Sequence, residues 1–239
     1  MLTFRGGDKK IIILSQILPT FKNNDSWFKT QFEDLLKDYS LEIHDSLSFF
    51  ENPKRKNIAM VEYSKYFIDL VKQPNVDALI GLSFGGAILQ NLASIIPRPV
   101  KVFLMSTPAI ISTMLQEKLD LLIHLLKKRD AILAEKTLLS LITKEETNLS
   151  LQHYDEPAIQ RLLFGFQTLL THHITHQQPN IYNLYGDQSR LVTQADIFPK
   201  ESPNTFSIPN AGMRILEDNN AYVIQLLQTI MSHHLHTVV

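Results

Sequence analysis

The sequence predicts an α/β protein in which a mainly parallel sheet is covered by helices on both faces. Short apolar segments rich in β-branched residues alternate with segments of helical period along most of the chain. A strand–turn–helix passage at 77–93 and a long helical insertion between two later strands both fit a sheet built from right-handed crossovers. No linker or internal repeat divides the chain. Residues 1–239 are therefore expected to form one domain, with a cap subdomain over about 110–176.

Six segments are predicted to be strands because they are short, apolar and rich in β-branched residues. They are residues 10–15, 41–44, 78–80, 100–105, 181–185 and 205–208. Helical periodicity predicts helices at 26–39, 57–72, 87–93 and 218–234, the first of them with Ser26 as its N-cap. Within the insertion, three more helices are predicted at 110–127, 130–142 and 157–171. We expect these three to stack over the C-terminal edge of the sheet as a cap, inserted between two strands.

The passage Gly81-Leu82-Ser83-Phe84-Gly85 has the pattern G-x-S-x-G between a predicted buried strand and a predicted helix. In such a passage a sharp turn holds the serine in a strained backbone conformation, and the flanking positions must be nearly free of side chains. Gly81 and Gly85 meet that requirement. We therefore predict a nucleophile elbow here, rather than a chance Gly-Ser turn, with Ser83 at the C-terminal edge of the sheet.

The bulk composition narrows the classes of function. A net charge of -1 over 239 residues gives no electrostatic reason to expect nucleic acid or an anionic membrane as a partner. The absence of cysteine excludes a disulfide framework, a thiol nucleophile and a thiolate metal site. No run approaches the roughly 20 apolar residues that span a bilayer, and no cleavage site follows the apolar run at 11–14. We expect a cytoplasmic protein without a metal or cofactor; the sequence does not indicate its oligomeric state.

The order of these features along nearly the whole chain resembles the α/β-hydrolase superfamily. Besides the elbow, the resemblance rests on the strand ending at 13–16 and on the passages at 185–192 and 209–213. Within that superfamily, the short length and the four-helix-type cap are similar to the carboxylesterases that cleave pimeloyl-carrier-protein methyl ester in biotin synthesis. The resemblance implies acyl transfer through Ser83 on an ester or thioester, as a small molecule or bound to a carrier.

The superfamily activates its serine with a histidine whose tautomer is fixed by an acid, and both partners are replaced here. In the pattern Gly-x-x-Asp-x-Leu-Val, the acid position is occupied by Ser189. Asp187 comes two residues earlier and is the candidate for a displaced acid. The histidine position aligns with Met213 or, counted back from Glu217, with Gly212, and neither residue can accept a proton. The sequence therefore predicts a degenerate triad.

The oxyanion hole is expected to consist of two backbone N–H groups. Where members of the superfamily carry His-Gly after an early strand, this chain has Ser15-Gln16. The resemblance implies that the N–H groups of Ile17 and Phe84 complete the hole. Because backbone donors do not depend on side-chain identity, the hole is expected to persist. Three side chains are predicted to contact the substrate: Gln16, Leu82 and Met213.

Histidines elsewhere in the chain are candidates for a substitute base. Those at 172–176 precede the strand at 181 and are therefore expected near its N-terminal end, as surface residues rather than metal ligands. His44 ends an outer strand, and the histidines at 233–236 are expected on the surface. His124 and His153 belong to the cap, which overhangs the predicted site, and both stay open as cap-borne bases.

Two further features of the cap have alternative interpretations. The apolar stretches at 121–126 and 162–166 are predicted mainly to pack the cap onto the sheet, with an acyl-chain tunnel as the alternative. The basic run at 127–129 is predicted to be a solvated turn, with a contact for an acidic carrier protein as the alternative.

Three functional hypotheses follow. In the first, Ser83 acts on an acyl ester or thioester with an unrecognised or substrate-supplied base. Hydrolysis is then weak or altered, because loss of the base alone costs roughly 10⁶-fold in turnover. In the second, the protein is a non-catalytic pseudo-hydrolase that binds an apolar ligand, an acyl carrier or another protein. In the third, the pocket catalyses a cyclisation or elimination without an acyl-enzyme.

Overall fold

The computed structural model describes residues 1–50, 58–97, 99–144, 154–176, 178–197 and 202–232. Within them, seven strands form one sheet in the order β1-β3-β2-β4-β5-β6-β7. The strands are β1 (Leu2–Phe4), β2 (Lys9–Leu14), β3 (Tyr39–His44), β4 (Ala78–Leu82), β5 (Lys101–Met105), β6 (Ile181–Gly186) and β7 (Thr205–Ile208). β1 pairs with β3 in the antiparallel sense, and the other five pairs are parallel. The mainly parallel sheet predicted from the sequence is confirmed.

The helices lie between these strands, as the alternating pattern predicts. They are α1 (Asp25–Gln31), α2 (Met60–Ser64), α3 (Ile68–Val71), α4 (Phe84–Leu92), α5 (Thr113–Lys127), α6 (Ala131–Ile142), α7 (Glu156–Leu169), α8 (Ile215–Asp218) and α9 (Asn220–Ser232). None of the helices in the described ranges is both long enough and apolar enough to cross a membrane.

The first predicted helix is shorter than expected, and the prediction of Ser26 as its N-cap is wrong. α1 begins at Asp25 and ends at Gln31, and a 3-10 helix follows at Glu33–Lys37 before β3 begins. Phe32 and Leu35 are both fully buried. The tighter 3-10 winding places side chains three residues apart on one side, so both of them can face the core.

The sheet is buried on both faces. β4 and β5 are buried along their entire lengths, as expected for parallel strands that are covered by helices on both sides. Successive side chains of β2 enter two separate apolar clusters: Ile11 and Ile13 belong to one, and Ile12 and Leu14 to the other. This arrangement fixes the central strands, whose C-terminal ends carry the candidate site.

The insertion between β5 and β6 contains α5, α6 and α7, close to the three predicted helices. Most of the apolar stretch at 121–126 is buried in the core, in agreement with the packing interpretation. The basic turn after α5 is exposed, and its Arg129 Nη1 lies 2.7 Å from Glu156 Oε2 at the start of α7.

Candidate active site

Ser83 occupies a strained turn between β4 and α4. Its backbone has φ 49° and ψ -107°, in a region that residues with a side chain rarely adopt. The N–H of Ser83 donates to the carbonyl of Met105 at 2.8 Å, and its own carbonyl accepts from Thr107 Oγ1 at 3.1 Å. These contacts with the end of β5 hold the turn in place. The predicted elbow conformation is therefore present.

Gly81 and Gly85, on the two sides of Ser83, lie so close to other backbone atoms that a side chain would not fit at either position. A Cβ at Gly85 would lie 2.3 Å from the carbonyl oxygen of Leu14, and one at Gly81 would lie 2.3 Å from the Cα of Gly86. Real Cβ atoms essentially never approach another heavy atom this closely. The turn can close against β2 and α4 only because these two side chains are absent.

A cavity of about 420 Å³ opens beside Ser83 at the C-terminal edge of the sheet. The sheet contributes Ser83, Met105 and Ser106, and the loop after β2 contributes residues 16–20. The three cap helices contribute mostly apolar side chains: Leu115, Leu119, Glu135, Leu138, Leu139, Ile142, Phe166 and Leu169. The cap therefore covers the end of the sheet as predicted. Phe166 is the residue of the stretch 162–166 that lines the cavity.

The structure brings most of the predicted site residues together. Gln16, Ile17, Leu82 and Met213 line the cavity with Ser83, which is 9% exposed. The side chain of Phe84 instead packs into the core, so only its backbone can serve the site. The positions of these residues are compatible with the predicted substrate contacts and oxyanion-hole donors. Those roles stay predictions.

The loop after β7 carries Met213 in the cavity wall, whereas Gly212 does not line the cavity. The Gly212 N–H donates to Asp218 Oδ2 at 2.7 Å, and the Met213 carbonyl accepts from Ser106 Oγ at 2.7 Å. Of the two residues that align with the histidine position, Met213 is therefore the one in the cavity wall, and its identification with that position stays a prediction. No histidine occurs among the described residues that line the cavity.

Two residues bear on the predicted acid position, Asp187 and Ser189. Asp187 is exposed and lies outside the cavity wall, and its Oδ1 accepts the N–H of Ala211 at 3.2 Å. Ser189 Oγ is buried and has no hydrogen-bond partner in the described part of the chain. This geometry does not support Asp187 as a displaced catalytic acid, because its carboxylate braces the loop after β7.

The two cap histidines do not supply a base within the described residues. His124 lies on the exposed face of α5 and does not line the cavity, and His153 lies outside the described residues. The histidines at 233–236 also lie outside them. His44 is half-buried, and its Nε2 lies 2.8 Å from Glu42 Oε1. Burial lowers the pKa of His44, and the neighbouring Glu42 opposes this effect.

The expectation of a surface position is wrong for His172. His173 and His176 are exposed, but His172 is 2% exposed because the chain after α7 folds back against α4. Its Nε2 lies 2.8 Å from Gln90 Oε1, and its Nδ1 lies 3.1 Å from Asn91 Nδ2. Burial lowers the pKa of His172 to about 4.

Within the described ranges, no group of three or more histidine, aspartate or glutamate side chains is placed to hold a metal ion.

No protein-family model and no curated protein sequence matches this chain. Solved structures do match it. MGS-M2, an alpha/beta hydrolase enzyme from a Medee basin deep-sea metagenome library, superposes with a TM-score of 0.71 at 13% identity over 95% of this chain and 90% of that one. The carboxylesterase CesB from Bacillus subtilis matches with a TM-score of 0.64 at 14% identity, over 96% and 87%. The chain has the α/β-hydrolase fold.

Another structure with this α/β-hydrolase fold is homoserine O-acetyltransferase from Staphylococcus aureus. It matches with a TM-score of 0.64 at 13% identity, over 94% of this chain and 87% of that one. The named activities of the three similar proteins differ, and one fold supports many chemistries. The function of this chain therefore has to be inferred from its own site.

The loop after β2, which is predicted to supply one donor of the oxyanion hole, is held by α7. Arg161, which is 8% exposed, donates from Nε to the carbonyl of Leu18 at 2.7 Å and forms an ion pair with Asp45. Ile17 packs against Gly165 one turn further along α7, where an added Cβ would lie 2.9 Å from Ile17 Cδ1. Sequence reasoning missed Arg161, whose only signal is an arginine among the apolar residues of a cap helix.

A buried polar pair faces the cavity from the cap, and sequence reasoning missed it as well. Glu135 on α6 is 4% exposed and forms a side-chain hydrogen bond with Tyr154. Burial, followed by the nearby Glu135 carboxylate, raises the pKa of Tyr154 well above its ordinary range. The available signal was periodicity: Glu135 lies four residues after Ala131 and three before Leu138, on the apolar face of its helix.

The solvent-exposed end of the cavity carries a polar cluster. Trp27 Nε1 donates to Glu217 Oε1 at 3.1 Å, and Arg214 Nε donates to the same oxygen at 2.7 Å. All three residues line the cavity. Trp27 is also the only tryptophan of the chain, so its fluorescence reports directly on this cavity.

Proposed function

We propose that this protein binds the acyl part of an ester or thioester in the cavity beside Ser83 and does so without a histidine-dependent acyl-enzyme cycle. The observation that carries the proposal is the contrast at the elbow. The turn and its cavity are intact, whereas the described cavity wall contains no histidine and includes Met213, which the sequence aligns with the histidine position. The ligand is a small molecule or a carrier-bound acyl group.

The lining supports an acyl ligand. A cavity of about 420 Å³ lies within the range that binds small molecules, and such sites combine an apolar wall with a few polar groups. The apolar wall comes mainly from the cap, and the polar groups around the elbow are the Ser83 hydroxyl and the Gln16 amide. In the proposal, the ligand carbonyl lies at the elbow and accepts hydrogen bonds from the Ser83 hydroxyl and from the N–H groups of Ile17 and Phe84.

The chemistry of the lining argues against a conventional nucleophile. A serine hydroxyl is a weak nucleophile unless an adjacent base accepts its proton. Among the described lining residues, Glu217 is already bonded to Arg214 and Trp27, and Glu135 is bonded to Tyr154 on the cap. The side chain at the histidine position is a thioether, which cannot act as a base.

The second candidate is slow hydrolysis through Ser83, with a base supplied by the substrate. The observation in its favour is the positive φ of Ser83, because strained residues cluster at active sites. Cyclisation or elimination in the same pocket would use the oxyanion donors without an acyl-enzyme.

Labelling with a fluorophosphonate probe separates the two candidates, since this probe reacts only with an activated serine. Wild-type protein and Ser83→Ala are incubated with the probe, and p-nitrophenyl octanoate turnover is measured for both. In parallel, octanoyl-N-acetylcysteamine is titrated while Trp27 fluorescence is followed. The proposal predicts saturable quenching, no adduct on Ser83, and turnover that is equal in the two proteins.

An adduct on Ser83, together with turnover that is lost in Ser83→Ala, would instead establish the hydrolase. Absence of any fluorescence change at millimolar thioester, with no protection of the protein against thermal unfolding, would contradict acyl binding.

A further inference from the structure

A side-chain oxygen of one residue in the cavity wall is buried without a hydrogen-bond partner. This atom is the amide oxygen of Gln16, Oε1, which is excluded from solvent and accepts no hydrogen bond from the described part of the chain. The hydroxyl oxygens of Ser46 and Ser189 are in the same condition, but neither residue lines the cavity. A buried acceptor that stays unpaired costs free energy, so its presence in the wall of a binding cavity needs an explanation.

Backbone contacts place Gln16 at the Ser83 end of the cavity. The carbonyl oxygen of Ser15, which belongs to the same peptide unit as the Gln16 nitrogen, lies 2.7 Å from the position that a Cβ of Gly85 would take. Gly85 comes two residues after Ser83, near the start of α4. The peptide unit that carries Gln16 therefore packs against the elbow itself. The next residue is Ile17, whose N–H is one of the two predicted oxyanion donors.

Nothing in the described surroundings uses the Gln16 amide oxygen. The same edge of the sheet contributes the apolar side chains of Leu82 and Met105 to the cavity wall. A methionine at position 16 would have nearly the same length and volume and would leave no unpaired oxygen. The bond to a terminal amide group turns with little preference, so an oxygen that no partner holds can turn toward the cavity. The amide oxygen is therefore suited to a partner that arrives with the ligand.

We propose that Gln16 accepts a hydrogen bond from a donor that the ligand carries close to its carbonyl group. This inference rests on the proposed function, because it assigns a second group of the same ligand. In that function the carbonyl lies between the Ser83 hydroxyl and the N–H of Ile17. The residue directly before Ile17 can then reach ligand groups that are a few bonds from the carbonyl.

The ligand class is an ester or thioester with an N–H or O–H group near its carbonyl. The donor has two sources. It is either a hydroxyl on C2 or C3 of the acyl chain, or an amide N–H on the alcohol or thiol part. Both satisfy an amide oxygen, whereas an unsubstituted acyl chain on a thiol without a donor leaves this oxygen unpaired.

The test compares five thioesters that share an eight-carbon acyl chain. Four are thioesters of N-acetylcysteamine: octanoyl, 2-hydroxyoctanoyl, 3-hydroxyoctanoyl and, as the control for a hydroxyl far from the carbonyl, 8-hydroxyoctanoyl. The fifth is the octanoyl thioester of 2-methoxyethanethiol, which lacks the amide N–H of N-acetylcysteamine. Each is titrated against the full-length chain, with Trp27 fluorescence as the readout and calorimetry as confirmation.

The proteins are wild type, Gln16→Met and the matched control Gln225→Met on the exposed side of α9. Urea unfolding of each protein without ligand is followed by circular dichroism. If Gln16 serves only the structure, Gln16→Met should unfold at a lower urea concentration than wild type. If Gln16 serves the ligand, its midpoint should equal or exceed that of wild type, because the substitution removes an unpaired buried oxygen.

The wild type should show one of two preferences. A donor on the acyl chain makes the 2- or 3-hydroxyoctanoyl thioester bind about 10-fold more tightly than the octanoyl and 8-hydroxyoctanoyl thioesters. A donor on the thiol makes octanoyl-N-acetylcysteamine bind about 10-fold more tightly than the methoxyethyl thioester. Either preference should disappear in Gln16→Met and persist in Gln225→Met.

Equal affinity of the wild type for all five thioesters would overturn this inference and leave acyl binding established. The same conclusion would follow from a preference for the 8-hydroxyoctanoyl chain alone, from a preference that persists in Gln16→Met, or from a lower urea midpoint in that variant. Failure of all five thioesters to bind would overturn the proposed function, and this inference with it.

Discussion

Acidification from pH 7 to pH 4.5 is expected to destabilise the fold through His172. Burial between the cap and α4 lowers the pKa of this imidazole to about 4, whereas an unfolded chain gives histidine a pKa of about 6.5. Between these values the unfolded state binds a proton that the folded state does not. The free energy of unfolding therefore falls as the pH falls through this window, and it levels off below pH 4.

The size of the effect follows from the two pKa values. Their difference is about 2.5, and each pKa unit corresponds to about 1.4 kcal/mol, so full titration removes about 3 kcal/mol. By pH 4.5 the loss attributable to this one residue is about 2.5 kcal/mol. For a domain with a stability of roughly 5–15 kcal/mol, this is a readily measured fraction.

The measurement is urea unfolding, followed by circular dichroism, at several pH values between 7 and 4.5. Wild-type protein is compared with His172→Gln, which retains an amide for the contact with Gln90, and with His173→Gln at the exposed neighbouring position. The difference in pH dependence between wild type and His172→Gln isolates this residue from the carboxylates that titrate in the same range. His173→Gln should follow the wild type.

Identical pH dependence in wild type and His172→Gln would refute the reasoning. So would direct titration of the His172 ring by NMR in the folded protein with a midpoint near 6.5, since burial would then not hold the ring neutral.

Three further outcomes are expected. Gly85→Ala should destabilise the fold by about 3 kcal/mol, because its Cβ would overlap a backbone carbonyl of β2 that has no room to move. Arg161→Met should cost about 3–5 kcal/mol by leaving Asp45 poorly solvated and unpaired, whereas the double variant with Asp45→Asn should recover part of this loss. Met213→His should raise Ser83-dependent hydrolysis of p-nitrophenyl octanoate by up to about 10²-fold, the difference between losing the base and losing only the acid in a serine hydrolase.

Each of these has a clear control. Gly165→Ala meets only the flexible side chain of Ile17 and should be much milder than Gly85→Ala in the same urea titration. An Arg161→Met protein as stable as wild type would show that the ion pair does not anchor the loop after β2. The gain in Met213→His must disappear when Ser83 is also replaced by alanine; a gain that survives would come from another nucleophile.

The strands and the cap could be predicted because they depend on local patterns. Apolar runs and helical periodicity located six of the described strands and the three cap helices, and G-x-S-x-G located the turn at Ser83. β1 was missed because a strand of three residues is too short to show a recognisable alternation of apolar and polar residues. The first helix was overextended because periodicity does not distinguish an α-helix from a 3-10 segment that buries the same side chains.

The composition of the cavity was harder to predict, since it depends on contacts between distant segments. Gln16, Leu82 and Met213 could be placed there because the superfamily resemblance supplies the order of the loops around the serine. Glu135 and Tyr154 meet only once α6 and the segment before α7 pack together. The burial of His172 likewise depends on how the chain turns after α7, which no local pattern specifies.

The glycines at the elbow have a consequence for how this motif is interpreted in any sequence. Gly81 and Gly85 are required because β2, β4 and α4 approach closely at the centre of the sheet, and this requirement is the same whether or not Ser83 reacts. A pattern search for G-x-S-x-G therefore detects how a strand, a turn and a helix fit together. The sequence predicts that the reactivity of the serine depends on a second position, residue 213, which lies 130 residues later in this chain.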